Sequence, residues 1–395
     1  MNRVDEKKHY CINFQDVLNA AKRIDGIAHK TPVLTSTSLN LYKHPSSLSC
    51  NSTSSKECNR RKIFFKVEAM QRTGSFKFRG AMNATLSMME DHEDRPRNST
   101  DIDTTDIDAD ISNKNEEGVH LVTHSSGNHA AALALAAKIA SESGHIKTNV
   151  RSTIVMPENA PIIKVNGVKG FGGNIIFVES TNEARESMAD QIVKEQSAEF
   201  IHPSEDKRVI AGQGTVCLEF VEQVWYLEGF VDGDLDVVII PVGGGGLAAG
   251  NIIALRGMLG DHVKIVLAEP EEMNDAKRSF ESGKLLGHHP DNKLKSVADG
   301  LKTTLGPNTW PIVRDLADDI ITVSEENILR ATKLIWERLK VCIEPSAGVG
   351  VAVAYGQEFE NKYKVEDGFE KVGIVLCGGN VDVLKIAALM QEKGL

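Results

Sequence analysis

The sequence contains no apolar run of bilayer length, no paired cysteine motif, no internal repeat and no excess of basic charge. Each absence removes a class of function. A membrane-spanning helix needs about 20 consecutive apolar residues, and none is present. The opening MNRVDEKKHY is charged and has no apolar leader core, which predicts a cytoplasmic protein. Cys11, Cys50, Cys58, Cys217, Cys342 and Cys377 are scattered without any CxxC pair. That pattern argues against a structural zinc and predicts free thiols in a reducing compartment. A net charge of −10 makes nucleic acid an unexpected partner. After CGGNVD only a short helical tail follows, which leaves no room for a C-terminal regulatory domain.

Most of that negative charge is local. Residues Asp91 to Glu117 hold ten Asp/Glu and three Lys/Arg, with almost no large apolar side chains. Such a segment buries too little to offset its ordering entropy, so it is predicted to be a solvated insertion. Its spaced aspartates raise the idea of a calcium loop, but the glycine and closing glutamate of an EF-hand are missing. A second Ser/Asn-rich insertion is predicted over residues 43–61.

What is present is a chain of 395 residues in which short apolar runs alternate with helical patterns. IFFKVEA, HLVTHSS, STIVMP, NIIFVES, DVVIIPVGGGG, KIVLAEP and GIVLCGGN are the runs. Continuous apolar strands separated by helices predict an α/β fold with parallel sheets covered on both faces. Ligands of such folds lie beyond the carboxyl ends of strands, where the unusual loops fall.

Four of those loops carry candidate chemistry. In QRTGSFKFRG, Lys77 stands between Phe76 and Phe78. Apolar neighbours disfavour an ammonium and favour the free amine that Schiff-base chemistry requires, although most lysines are simply solvated. Gly243, Gly244, Gly245 and Gly246 follow a buried strand and open a helix. Their unobstructed N–H groups and the helix terminus would cradle a phosphate; a flexible turn is the plainer alternative. The run matches neither a Walker loop nor a spaced dinucleotide fingerprint. Ser125, Ser126, Gly127, Asn128 and His129 end another strand in a way that suits a carboxylate, or that merely caps the next helix. Cys377 ends a further strand, where a thiol is either a ring-nitrogen partner or packed core. A monophosphate cup together with a buried lysine suggests pyridoxal phosphate.

The set SFKFRGAMNA, SSGNHAAALALAAK, IAGQGT, PVGGGGLAAG, ADGL, TWPIVRDLADDI, WERLKVCIEPSAGVG and CGGNVD resembles the serine racemase and serine/threonine dehydratase family of fold type II pyridoxal-phosphate enzymes. The resemblance covers roughly residues 10–385 apart from the two insertions. It implies a two-domain fold like that of tryptophan synthase β. The large cofactor-binding domain would be 1–118 with 204–395, and the small substrate-side domain 119–203. It implies that Lys77 binds the cofactor covalently, Phe76 lies near the pyridine ring, Asn128 meets its phenolic oxygen, Gly243–Gly246 hold the phosphate and Cys377 partners the ring nitrogen. A neutral thiol there makes the cofactor a weaker electron sink, favouring proton exchange at Cα and loss of a β-substituent.

Lys77 and Ser126 are then the bases on opposite faces of Cα. Ser126 favours racemisation, because dedicated dehydratases often carry alanine there, whereas Cys377 resembles some dehydratases. The substrate carboxylate would meet Ser125, Ser126, Gly127, Asn128 and His129, with Arg185 as an outer contact. Ser204 replaces the asparagine of the racemase-like HPN. Glu269, the Met273 carbonyl and Asp275 match a divalent-cation site for Mg²⁺ or Ca²⁺, and ATP would act as an effector through Lys340. The implied function is serine racemisation with elimination to pyruvate and ammonia, in a homodimer. The alternatives are a dehydratase of L-serine, L-threonine or threo-3-hydroxyaspartate with little racemisation, and a cofactor-bearing regulatory protein without turnover.

Overall fold

The structure is a computed structural model that describes residues 9–42, 61–93, 118–125, 127–142, 149–160, 162–229, 234–289 and 295–395. Ten strands follow in chain order: β1 (Val33–Leu34), β2 (Lys62–Val67), β3 (Val119–His124), β4 (Val150–Pro157), β5 (Asn174–Val178), β6 (Glu199–Phe200), β7 (Val237–Pro241), β8 (Lys264–Pro270), β9 (Asp319–Val323) and β10 (Lys371–Leu376). They form two sheets, one in each of two compact units. The first unit is Met1–Phe76 with Ser204–Leu395, and the second is Lys77–Pro203.

The sheet of the first unit runs β1-β2-β10-β7-β8-β9. All neighbours are parallel except the short edge strand β1, which is antiparallel to β2. Strands β7 and β10 are apolar on both faces because helices cover both, and Pro345–Ala354 lies across four strands of this sheet. The closest helix crossing joins Lys207–Leu227 to Gly246–Leu259. Glycine is required there: a Cβ on Gly250 would lie 2.2 Å from the Ile210 carbonyl oxygen, and one on Gly214 would lie 2.6 Å from that of Gly250. The IAGQGT motif therefore sets a helix–helix distance.

The second unit carries the all-parallel sheet β5-β4-β3-β6. Helix Lys77–Glu93 packs on helix Asn128–Glu142 within it. Residues 77–93 thus group with the second unit, whereas the sequence reading assigned 1–118 to the first. The difference follows from that helix pair, whose contact a strand-by-strand reading does not show.

Two insertion boundaries also move. Asp91 and Glu93, read as insertion, end the helix Lys77–Glu93. Arg61, read as the end of the other insertion, is buried, with its guanidinium on Glu360 and the Tyr363 carbonyl and over the Phe359 ring. Residues 43–60 and 94–117 lie outside the described residues. Among the described residues no disulfide joins Cys11, Cys217, Cys342 and Cys377, and no helix is long and apolar enough to cross a membrane.

Overpacking a close helix crossing costs about 1–3 kcal/mol. Gly250→Ala should therefore lower the thermal midpoint measurably. Gly167→Ala, on a helix with nothing within 4 Å of the new Cβ, should leave it unchanged or slightly raised. Equal midpoints for the two variants would show that the crossing has room to relax.

Candidate active site

In the first unit, two loops at strand ends hold the sequence candidates. The glycine loop follows β7 and leads into the helix Gly246–Leu259. Gly245 takes a left-handed φ of 81° at the N-cap, a conformation open to glycine at no steric cost. Side chains are also excluded by space. A Cβ on Gly243 would meet the Leu301 backbone at 2.9 Å, one on Gly244 the Ser204 hydroxyl at 2.6 Å, and one on Gly245 Leu305 and Thr309 at 2.6–2.7 Å. Gly244 N–H donates to the Thr303 hydroxyl at 2.9 Å. The amides of the first helical turn have no intrahelical acceptor, and the helix dipole adds positive potential at the same end. A dianionic phosphate fits this cradle without a lysine or arginine in the loop.

Cys377 follows β10 and is 2% exposed. Its loop is zipped to the segment before Lys77: Phe76 N–H donates to the Cys377 carbonyl at 3.0 Å, and Gly379 N–H to that of Gly74 at 2.8 Å. Ser75 and Gly378 form an antiparallel bridge, and the Asn380 amide reaches the Thr73 carbonyl at 2.7 Å. Phe76 is buried in the core of this unit. The residue before Lys77 is therefore fixed to the Cys377 loop.

In the second unit, Lys77 opens its helix and is half-buried. Its Nζ donates to the Pro203 carbonyl at 2.8 Å, so the amine has a polar acceptor in addition to the apolar neighbours expected from Phe76 and Phe78. Thr123 Oγ1 donates to the Ile201 carbonyl at 2.7 Å, and His129 Nε2 lies 3.3 Å from the same oxygen. Three polar side chains thus converge on the backbone of Ile201–Pro203. His129 is buried and held well below the usual imidazole range by burial, then by the charge of Lys77. It is a neutral hydrogen-bonding group.

Ser125 follows β3, and its hydroxyl accepts the Gly127 N–H at 3.2 Å. Asn128 is the first residue of the following helix. The Ser125–Gly127 hydrogen bond precedes a helix N-terminus, where a carboxylate would meet the amides of the first turn. Ser126 lies outside the described residues. Arg185 stands on the first turn of Asn182–Gln196, with Nε on the Thr181 carbonyl at 3.2 Å. Burial and then the Arg185 charge lower the basicity of His124, whose ring packs 5.1 Å from Phe200 and 6.2 Å from His202. Sequence reasoning gave His124 no role, because a histidine beside a motif gives no signal until its ring partners are known.

The proposed cation ligands lie together in the first unit. Glu269 is 1% exposed near the end of β8, and its carboxylate accepts the N–H groups of Ala276 at 2.8 Å and Lys277 at 2.9 Å. Asp275 is buried, 3.4 Å from His288 Nδ1, and accepts Leu305 N–H at 3.3 Å. Burial, then the Asp275 charge, raises Glu269 well above the usual carboxylate range, and burial pushes Asp275 up to about 6. Two buried carboxylates with raised proton affinity suit a divalent cation. Glu269 also has a structural role, since it caps the helix Asp275–Ser282. Among the described residues no group of three or more His, Cys, Asp or Glu forms a metal cluster.

Comparison with known proteins gives the family and the fold. The family model described as pyridoxal-phosphate dependent enzyme matches residues 44–378. Serine racemase of Rattus norvegicus is 38% identical over 386 residues, covering 97% of this chain and 98% of its own. The structure of maize serine racemase superposes with a TM-score of 0.76 at 35% identity, covering 97% of this chain and 98% of the other. The T.th. threonine deaminase structure gives 0.72 at 31% identity, with coverage of 94% and 99%. The fold and the cofactor expected from the sequence are thereby established, and the chain belongs to the pyridoxal-phosphate dependent enzymes, within the serine racemase and serine/threonine dehydratase family.

Proposed function

We propose that this chain interconverts L- and D-serine and also eliminates water from serine, giving pyruvate and ammonia. The observation that carries this reading is the half-buried Lys77 amine seated on the Pro203 carbonyl, one residue after a segment zipped to the Cys377 loop. Near-complete coverage of serine racemase relatives and likeness to a threonine deaminase support the pairing of racemisation with elimination.

Pyridoxal phosphate supplies electron withdrawal that makes a substrate Cα–H acidic. The protein's residues decide where the proton goes. Lys77 Nζ takes or returns it on one face of Cα, and the Ser126 hydroxyl serves the other, since one base returns a proton only to the side it came from. Ser125, Gly127, Asn128 and neutral His129 orient the substrate carboxylate at a helix N-terminus, with Arg185 further out. The Gly243–Gly246 amides bind the phosphate, and the Cys377 thiol offers the ring nitrogen a neutral partner. Elimination needs only the Lys77 face and departure of the β-hydroxyl.

Glu269, the Met273 carbonyl and Asp275 would hold Mg²⁺ or Ca²⁺, a reading that rests on the buried pair of raised carboxylates. A homodimer in the cytoplasm, with ATP acting through Lys340, completes the reading by resemblance. A dehydratase of L-serine, L-threonine or threo-3-hydroxyaspartate with little racemisation is the second reading, favoured by Cys377.

Ser126→Ala separates the two. It should abolish D-serine formation from L-serine while elimination from L-serine survives at least in part; elimination from D-serine should fall with racemisation. Equal loss of every activity would make Ser126 a carboxylate holder, and unimpaired racemisation would place the second base elsewhere. The cation is tested by Glu269→Gln and Asp275→Asn. Each should weaken the rise in thermal midpoint that added Mg²⁺ gives the wild type. An undiminished rise in both variants would place the cation at other ligands.

A further inference from the structure

Glu205 is an acidic loop residue that no sequence motif singled out, yet it is half-buried under the glycine loop. Its carboxylate accepts hydrogen bonds from Asn308 N–H at 2.7 Å and from the Thr309 hydroxyl at 2.8 Å, among others. Gly306 leaves room for it: a Cβ there would lie 2.2 Å from the carboxylate carbon. Thr309 is fully buried and forms the N-cap of Trp310–Leu316, but its side chain makes no capping hydrogen bond. A threonine in that position ordinarily turns its oxygen to the helix amides. Here the hydroxyl faces Glu205 and the glycine loop.

The hydroxyl has one proton and three acceptors: Glu205 Oε1 at 2.8 Å, the Gly244 carbonyl at 3.2 Å and the Gly306 carbonyl at 3.4 Å. The nearest is a carboxylate, so it wins the proton when ionised and locks the rotor. In that rotamer Thr309 Cβ and Oγ1 lie 2.7 Å from where a Gly245 Cβ would stand. The side chain therefore acts as a wedge beneath Gly244–Gly245.

We propose that Glu205 is a positioning residue for the cofactor phosphate, acting through Thr309 to hold the glycine loop in its phosphate-binding shape. The proposal rests on the reading that this loop binds the phosphate. Glu205 itself touches the loop through the threonine and so acts on affinity for the phosphate-bearing part of the ligand alone. Burial raises its proton affinity, which the Asn308 and Thr309 hydrogen bonds counter.

The test compares binding of pyridoxal phosphate and of pyridoxal, which lacks the phosphate, to the full-length cofactor-free chain by absorbance titration, with circular dichroism to verify folding. Glu205→Ala and Thr309→Val should each weaken pyridoxal phosphate about tenfold, the scale of one lost charge-assisted hydrogen bond, and pyridoxal little. The double variant should be no weaker than either single one, and Thr309→Ser should keep the wild-type preference. If Glu205→Ala does not fold, the Thr309→Val and Thr309→Ser pair decides. An unchanged preference for the phosphate in folded Thr309→Val, or multiplied effects in the double variant, would overturn the proposal. Gly245→Ala tests the underlying reading: if it keeps the preference, the loop does not hold the phosphate. If Gly245→Ala loses the preference and Thr309→Val keeps it, the loop reading stands and the role of Glu205 fails.

Discussion

In the proposed reading, the chemistry of this protein depends on where one amine is held. Lys77 could extend into water at little cost, as lysines usually do, and a free lysine would be a poor participant in any directed proton transfer. The Pro203 carbonyl gives the ammonium or amine a fixed acceptor at 2.8 Å, and the backbone on its amino-terminal side is fastened by the Phe76–Cys377 and Gly74–Gly379 hydrogen bonds. A fixed acceptor for the amine is what positioned acid–base catalysis requires.

In the same reading, anions are handled by backbone instead of by cationic side chains. The glycine loop and the Gly127–Asn128 turn each open a helix, so amides and dipole meet a phosphate or carboxylate without lysine or arginine in the loop. Neither loop carries a second amine of its own. His129 reinforces this, because burial and the neighbouring lysine hold it neutral.

The family, the fold and the position of these loops at strand ends were legible in the sequence, because glycine-rich loops after apolar strands leave composition signatures. Four consecutive glycines after an apolar strand have few structural uses, and Lys77 between two phenylalanines is conspicuous. Side-chain props leave no such mark. Glu205 reads as a solvated acid until Gly306 and Thr309, about a hundred residues away in the chain, are seen to enclose it. Arg61 looked like the end of a polar insertion because its partners Glu360 and Tyr363 are more distant still. The grouping of residues 77–93 with the second unit was hidden for the same reason: it is decided by contact with Asn128–Glu142, not by the strand order.

The central claim is that Lys77 moves the Cα proton of serine. The most direct measurement incubates the purified wild type and Lys77→Ala with L-serine in ²H₂O and follows D-serine, deuterium at Cα and pyruvate side by side. The account predicts deuterated D-serine together with pyruvate from the wild type, and neither product from the variant. Substantial turnover by Lys77→Ala, or a folded, cofactor-loaded wild type that yields neither product, would contradict it.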